Sequence, residues 1–573
     1  MDSEKPIYII GTATSHDGSA CLLKNGKIIY AIEKERITRR KHDGYNDTDT
    51  IQYCLEAEGI TLNDVSLIVQ NDNFSDYRFG NDSLYGERVF SNYQEIPVKT
   101  ISHHLAHAYS AIGTCPFNEF DILVMDGCGS PFEQCLDIGG VIPDLDLLKK
   151  LPQLFMEKDS FYHFDGKSLK TIYKDFSEWS LYGNMFQYPM HPLTTKHSIG
   201  GMYNAVSRYC FGDVSDPGKL MGLSPYGNFG NFQENIFLLN DERVFVNYEW
   251  VLNYNKAAID FEGFKSNFQY YADISKGVQL ELEKAVLFII KSRMKFSTNG
   301  KLAYAGGTAL NALVNSLIIK EELVDQLYIQ PAAGDNGLAI GCAYYGWLEV
   351  LKKERVLHNG STCFGKVYLN DDIGGEIENY SALFPQKITY KKSNYIIAET
   401  AKLLADGNII GWCQLGSEFG PRSLGRRSIL ADPRIDGVKD FINSKIKFRE
   451  DFRPFAPSVL KDDADIYFEM NGLESPYMIM VFDIKEEWKN ELKSVVHENN
   501  TSRVQTVTSE WNKLFYDLLI EFKKQTNLSV LLNTSFNRKG MPIVESPKDA
   551  IDFFSECELD YLIIGDYIIS KKA

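Results

Sequence analysis

Three of the chain's ten histidines lie within five residues, in "HHLAHAYSA" from His103 to Ala111. The stretch holds good helix formers and no proline or glycine, which predicts a helix. In a helix His103 and His107 sit one turn apart on one face. That spacing lets two imidazoles reach one metal ion, as in zinc-binding HExxH helices, while His104 points elsewhere. Taken alone, HxxxH also fits a polar helix face that binds nothing. A second chemistry lies in three basic clusters of the C-terminal third. "EFGPRSLGRRSILADPR" carries Arg422, Arg426, Arg427 and Arg434, "INSKIKFREDFRPFAPSVL" carries Lys445, Lys447, Arg449 and Arg453, and "NNTSRVQTV" carries Arg503. Arginine forks hold phosphate oxygens bidentately and lysine supplies a point charge, so this region suits a polyanionic ligand.

The elements that must position these residues follow from the apolar pattern. "IYIIG", "SACLL" and "KIIYAIE" read as strands, the last two joined by the hairpin signal "KNGK". An amphipathic helix near "DTIQYCLEAEGI" stops at Gly59, and "VSLIVQ" is a further strand. "DILVMDGCGS" is a buried strand ending at Asp126 and a glycine turn. "KLAYAGGTALNALVNSLI" gives a strand, Gly306-Gly307 and a helix with Asn311 in its first turn. "LYIQPAAGDNGLAIGCAYYGWL" gives a strand, a turn at Asp335 and a small-residue helix. Glycines ahead of a helix let backbone N–H groups approach an anion. A meander of strands followed by helices resembles half of an actin-like ATPase, a fold built of two such halves. Periodicity fades between Lys352 and Asp371, which reads as a linker.

The bulk properties narrow the function classes. A chain of 573 residues suggests more than one domain, because single cores stop growing near roughly 250–300 residues. With 44% hydrophobic and 24% charged residues, it has the composition of a globular protein. A net charge of −17 argues against a nucleic-acid backbone or an anionic membrane as partner, and leaves room for one basic pocket. The first residues lack the basic region of a signal peptide, and no stretch approaches the roughly 18 apolar residues of a membrane span. The ten cysteines form no CxxC pair, so reduced thiols in a cytoplasm are expected.

Ten motifs in order resemble the O-carbamoyltransferase family that includes nodulation, cephamycin and tobramycin carbamoyltransferases. They run from "HDGSA…EKERITRRKHD" and "HHLAHAYSA" through "MDGCG", "GKLMGLSPYG", "GGTALN" and "GDNGLAIGCA". They continue with "EFGPRSLGRRSILADPR", "KFREDFRPFAPSV", "SRVQTV" and "NTSFNRKGMPIVESPKDAI". The resemblance spans nearly the whole chain. Gly18 and Lys34 stand where the family usually has alanine and an acidic residue.

The resemblance implies an α/β protein of two domains. Residues 1–355 would be an actin-like domain similar to the threonylcarbamoyl-transfer enzymes. Residues 365–573 would be a YrdC-like α/β domain that makes carbamoyl-adenylate. By the same resemblance His103 and His107 are metal ligands completed by Asp126 and Asp335. Such a set suits Fe2+, with Zn2+ or Mn2+ as other divalent choices. ATP, accompanied by Mg2+, and carbamoyl phosphate are the implied substrates. The loops Asp126, Gly127, Gly129, Ser130 and Gly306, Gly307 would hold phosphate and ribose, and Asn311 resembles the family's nucleotide-contacting asparagine. Lys41 resembles a lysine that touches the carbamoyl-adenylate. Arg422, Lys447, Arg449, Arg453 and Arg503 would bind the phosphates, with Asn533, Ser535 and Asn537 as nucleotide contacts. An alcohol acceptor needs a base, and His16, after the first strand, is the candidate, since the unperturbed imidazole pKa near 6.5 suits one; its other reading is to orient substrate or Asp17.

The implied acceptor is a hydroxylated small molecule of secondary metabolism, such as an antibiotic precursor. The expected partners include no nucleic acid and no membrane, and a homodimer is among the open assemblies. The segment from about Ser130 to His197 carries the aromatic runs "FYHF" and "WSLYGNMFQYPMH", which would line an acceptor pocket or belong to the core. The competing readings are a tRNA threonylcarbamoyl-type transferase and a non-catalytic actin-like ATP-binding module. Four ligands in one place would favour transfer chemistry over the module.

Overall fold

A computed structural model describes residues 5–44, 46–71, 96–178, 198–213, 215–232, 235–247, 261–510 and 512–572. The chain divides into two compact units. The first contains Met1–Lys34 and Gly44–Asn359, the second Glu35–Asp43 and Gly360–Ala573. Both are mixed α/β.

The first unit contains the same sheet twice. Strands β1 (Tyr8–Ala13), β2 (Ser19–Lys24), β3 (Lys27–Glu33), β4 (Val65–Asn71) and β5 (Val98–Ile101) run in the order β3-β2-β1-β4-β5. The first three are antiparallel, and β4 and β5 add parallel strands. The β2–β3 turn is Asn25-Gly26, both at positive φ, as the Asn-Gly signal requires. The second sheet contains β6 (Phe120–Met125), β7 (Phe155–Phe164) and β8 (Leu169–Glu178). After a small hairpin of β9 (Phe237–Asn240) and β10 (Arg243–Val246), it gains β11 (Lys301–Ala305) and β12 (Gln326–Ile329). Its order, β12-β11-β6-β7-β8, repeats the first sheet, antiparallel and parallel steps included. The strand ending at Asp126 therefore opens the second half.

The repeat fixes where chemistry gathers. Each fifth strand feeds a helix, His103–Thr114 after β5 and Leu338–Tyr345 after β12, and the two pack together. Their backbones touch because Gly341 has no side chain; a Cβ there would lie 1.8 Å from the Ala106 carbonyl oxygen. The carboxyl ends of β1, β5, β6 and β12 then deliver His16, His103, Asp126 and Asp335, in keeping with ligand sites beyond the strand ends of α/β sheets. Phe161, Tyr162 and Phe164 of "FYHF" are buried on β7; "WSLYGNMFQYPMH" lies outside the described residues.

The second unit is built on an eight-stranded mixed sheet. Its strands are β13 (Ile388–Lys392), β14 (Ile410–Cys413), β15 (Arg427–Ala431), β16 (Ala456–Leu460), β19 (Gln505–Val507), β20 (Val530–Ser535), β21 (Tyr561–Ile564) and β22 (Tyr567–Lys571). They run in the order β13-β22-β21-β14-β15-β20-β16-β19, and β17 (Phe482–Asp483) pairs with β18 (Thr501–Ser502) beside it. Residues 352–369 carry no helix or strand, and the units divide at Asn359 and Gly360 within that stretch.

An unbroken first domain over 1–355 does not describe Glu35–Asp43. Arg36, 1% exposed, donates to the Gly420 carbonyl at 2.7 Å. Arg39 donates to the carbonyls of Ile543 at 2.6 Å and Pro542 at 2.9 Å. These bonds place the segment, with Lys41, in the second unit. In the first unit Lys34 marks its exit, its backbone N–H bonded to Gly18 and its Nζ to Gly44.

Candidate metal centre and anion site

His103, His107, Asp126 and Asp335 form one cluster whose four ligand atoms lie within 4.8 Å of one another. His103 Nε2 is 2.7 Å from Asp126 Oδ2 and 3.4 Å from Asp335 Oδ1. His107 Nε2 is 3.4 Å from Asp126 Oδ2, 3.8 Å from Asp335 Oδ1 and 3.2 Å from His103 Nε2. Both imidazoles are 1% exposed. Asp126 is held within its own half of the fold: its Oδ1 accepts from the Gly307 N–H at 3.1 Å, which leaves Oδ2 to the histidines.

The donor set suits a divalent ion of borderline-to-hard character. Its field asks for positive charge: burial alone would lower the His103 pKa, but Asp335 and Asp126 push it up to about 10. The two carboxylates favour a positive charge between them, which a divalent cation would supply. His104 takes no part. Its Nδ1 pairs with Ser160 Oγ at 2.8 Å, and burial pushes its pKa down to about 3, so the ring is neutral.

His16 reaches the same cluster, with Nε2 3.8 Å from Asp335 Oδ2 and Nδ1 3.0 Å from Asp17 Oδ2. Its side chain is 68% exposed, unlike the ligands. Desolvation would lower its pKa, but Asp17 and Asp335 push it up to about 10, above the 6.5 of a free imidazole, and the Asp17 carboxylate on Nδ1 leaves Nε2 as the nitrogen that exchanges a proton.

The glycine loops are arranged differently from expectation. The Gly129 N–H is bonded to the Glu157 carbonyl and the Ser130 N–H to the Glu157 carboxylate. The Gly306 N–H is bonded to Ala333 and that of Gly307 to Asp126. Those four donors are engaged within the fold, by the carbonyls of Glu157 and Ala333 and the carboxylates of Glu157 and Asp126. Near Gly127 the neighbour is Gly200, whose absent Cβ would lie 3.0 Å from the Gly127 nitrogen. Asn311 caps the helix Ala312–Lys320, with Oδ1 accepting from Val314 N and Nδ2 donating to Gln279 Oε1 at 3.0 Å.

In the second unit the sheet register gathers the cations. β15 runs antiparallel to β20 and pairs Ser428 with Ser535; β16 pairs Ala456 with Asn533; β19 runs parallel to β16. The starts of β15, β16 and β19 and the end of β20 therefore meet at one side. Arg422 precedes β15, Lys447, Arg449 and Arg453 precede β16, and Arg503 precedes β19, while Asn537 follows β20. Lys447 Nζ donates to Ser535 Oγ at 3.0 Å and to Asn537 Oδ1 at 2.8 Å. Asn533 faces inward, 1% exposed, toward Ser458 and Gln505.

Burial, then like charges, lowers the pKa of this group. Burial and Arg453 bring Arg422 to about 10. Lys447 is held well down by burial, Arg449, Arg453 and Lys41, and Arg503 by burial, Arg422, Arg449 and Arg453. Each depresses others, so they share one field. The Nε atoms of Arg422 and Arg503 are buried without a hydrogen-bond partner among the described residues. Buried guanidiniums without counter-charge are costly unless an anion joins them.

Not legible beforehand were Glu157 and Lys174, buried on β7 and β8, and Glu418, whose carboxylate accepts the N–H groups of Leu424, Arg426 and Arg427 in the Arg422 loop. The only trace in the sequence is a charge inside an apolar run.

Family models described as carbamoyltransferase N-terminus and carbamoyltransferase C-terminus match residues 8–81 with 68–344, and 401–571. The nodulation protein NolNO of Sinorhizobium fredii is 30% identical, over 97% of this chain and 79% of its own. The nodulation protein NolO of Bradyrhizobium diazoefficiens is 31% identical, over 82% of this chain and 79% of its own. Among solved structures, HypF of T. kodakarensis is 13% identical with a TM-score of 0.39, over 61% of this chain and 49% of its own. No helix among the described residues is long and apolar enough to cross a membrane.

Proposed function

From the premise that this chain belongs to the carbamoyltransferase family, we propose that it makes carbamoyl-adenylate from ATP and carbamoyl phosphate and transfers the carbamoyl group to a hydroxyl of a small molecule. The observation that carries the reading is the presence in one enzyme of two opposite constellations, a histidine–aspartate cluster and a cation cluster.

The first step is assigned to the second unit, in the role of the YrdC-like domain. Phosphate leaves carbamoyl phosphate with one water consumed, the carbamate oxygen takes the α-phosphorus of ATP, and pyrophosphate departs. Arg422, Arg449, Arg453 and Arg503 bind the phosphate oxygens, Lys447 adds a point charge held by Ser535 and Asn537, and Lys41 joins the same field. Concentrated positive charge stabilises the charge that develops on the departing pyrophosphate.

The second step is assigned to the first unit. His16, its Nδ1 held by Asp17, takes the proton of the acceptor hydroxyl at Nε2. The hydroxyl oxygen then attacks the carbamoyl carbon and AMP leaves. His103, His107, Asp126 and Asp335 would hold a divalent ion, Fe2+ by the resemblance, whose Lewis acidity would stabilise the leaving phosphate.

The test is to incubate the metal-replete protein with ATP and carbamoyl phosphate and assay pyrophosphate and carbamoyl-adenylate. Pyrophosphate release that requires carbamoyl phosphate is the expected result; its absence, with no adenylate, overturns the reading.

A further inference from the structure

Beneath the histidine helix lies a buried set of charges that takes no part in either step. Glu157 on β7 and Lys174 on β8 are fully buried, with Glu157 Oε1 2.6 Å from Lys174 Nζ. Lys174 Nζ also lies 2.6 Å from Asp137 Oδ2, and Asp137 Oδ1 accepts from Ser102 Oγ at 3.3 Å.

The second oxygen of Glu157 is the informative one. Glu157 Oε2 accepts from the His104 N–H at 3.1 Å and from the Ser130 N–H at 2.9 Å. Ser130 Oγ in turn accepts from the His103 N–H at 2.9 Å. The main chains add a reciprocal pair, Gly129 N to Glu157 O and Glu157 N to Ser130 O, both 3.0 Å. One carboxylate thus ties the first turn of the helix carrying His103 and His107 to the loop carrying Asp126. The contact is close enough that Gly129 has no room for a side chain; a Cβ would lie 2.6 Å from that of Glu157.

A buried Glu–Lys pair is a poor device for stability alone, since an apolar pair of the same shape often does as well or better. An apolar pair could not accept two N–H groups from two segments at once. First-turn helix N–H groups lack partners within the helix, and a carboxylate there is favoured by the helix dipole. Lys174 keeps that carboxylate ionised away from water.

We propose that Glu157, held by Lys174 and extended by Ser130, is the positioning residue of the metal centre, setting the spacing between the two histidines and Asp126. This rests on the metal reading of the four-residue cluster. Outer groups that orient ligands typically change metal affinity by about 10–100-fold when altered.

The probe is Co2+ added to the full metal-free chain, followed by its visible absorption. Wild type is expected to bind Co2+, and His107→Ala to lose it. Glu157→Gln, which leaves one acceptor oxygen and no charge, is expected to weaken Co2+ binding by about tenfold or more and to shift the absorption bands. Ser130→Ala should weaken it less, with the same direction of shift. Glu157→Gln/Lys174→Met removes both charges and guards against a variant that fails to fold; it should behave as Glu157→Gln does. A merely structural role would change thermal stability and leave the spectrum unmoved. Wild-type affinity and spectrum in the folded Glu157→Gln and double variants overturn the positioning proposal and leave the metal reading standing. A wild type that binds no Co2+ through His107 overturns the metal reading, and the positioning proposal with it.

Discussion

The cluster of the first unit and that of the second are both largely buried, yet they balance charge in opposite ways. His103 and His107 face Asp126 and Asp335 at 2.7–3.8 Å, and the two carboxylates raise the His103 pKa, so groups of both signs stand together. A divalent ion held there would answer the same two carboxylates. Arg422, Lys447, Arg449 and Arg503 face mainly other cations, and burial with like charges lowers all four. Proton uptake cannot relieve that repulsion, whereas a bound anion can. A site made of both signs is compatible with a small ion held permanently. One made of a single sign suits a polyanion that comes and goes, as a substrate must.

The comparison breaks most decisively if the sites are not separate in function. His103→Ala and Asp335→Ala are expected to lower carbamoyl transfer by about 100-fold or more, as loss of groups that stabilise developing charge does, with adenylate formation unchanged. Quenched reactions that quantify adenylate and carbamoylated product separately check this. Loss of both steps in a folded His103→Ala would mean that one site serves both.

The second cluster gives the next largest effect. Each charged hydrogen bond contributes about 1.5–3 kcal/mol, so Arg422→Ala or Lys447→Ala should slow adenylate formation by about 10- to 150-fold. The same variants should lose part of the stabilisation by ATP, which for the wild type is about 2.7 kcal/mol at a hundred times Kd. Thermal melts with and without ATP measure it. Equal shifts in wild type and variants would place nucleotide binding elsewhere.

How much of this was legible depends on how local the signal is. The helical spacing of His103 and His107 is a property of twelve consecutive residues, His103–Thr114, and the sequence carries it. The Asn25-Gly26 turn and the Gly59 helix stop are equally local. That Asp126 and Asp335 join the histidines depends on a duplicated sheet; only the family resemblance reached that far. Backbone bonding was out of reach. Gly129, Ser130, Gly306 and Gly307 read as a phosphate cradle because glycine before a helix often is one. Whether their N–H groups are free is decided by the loop that pairs with Glu157 and by the Asp126 side chain. Glu35–Asp43 reads as part of the first domain because its neighbours in sequence are. Its partners, Gly420 and Pro542–Ile543, lie hundreds of residues away.

Asn311 sharpens the contrast at the smallest scale, because sequence and structure assign it different work. Its position after Gly306-Gly307 resembles that of a nucleotide contact. In the structure it is 7% exposed, and its amide is engaged at both ends. Oδ1 accepts from Val314 N at 3.2 Å and from Gln279 Nε2 at 3.1 Å, while Nδ2 donates to Gln279 Oε1 at 3.0 Å. Gln279 also accepts from Tyr203 and donates to Glu283, so the amide pair joins three helices, Ile199–Phe211, Phe268–Met294 and Ala312–Lys320. Losing an N-cap costs about 0.5–2 kcal/mol, so Asn311→Ala should melt lower by a few degrees, about 2–4 °C per kcal/mol. The rates of both steps, and the KM for each substrate, should stay at wild-type values. Asn311→Asp retains the acceptor for Val314 and loses only the donor to Gln279, so it should melt between the two. A raised KM for ATP or for the acceptor at an unchanged melting temperature would return Asn311 to the ligand, and would mean that this helix end opens when substrate binds.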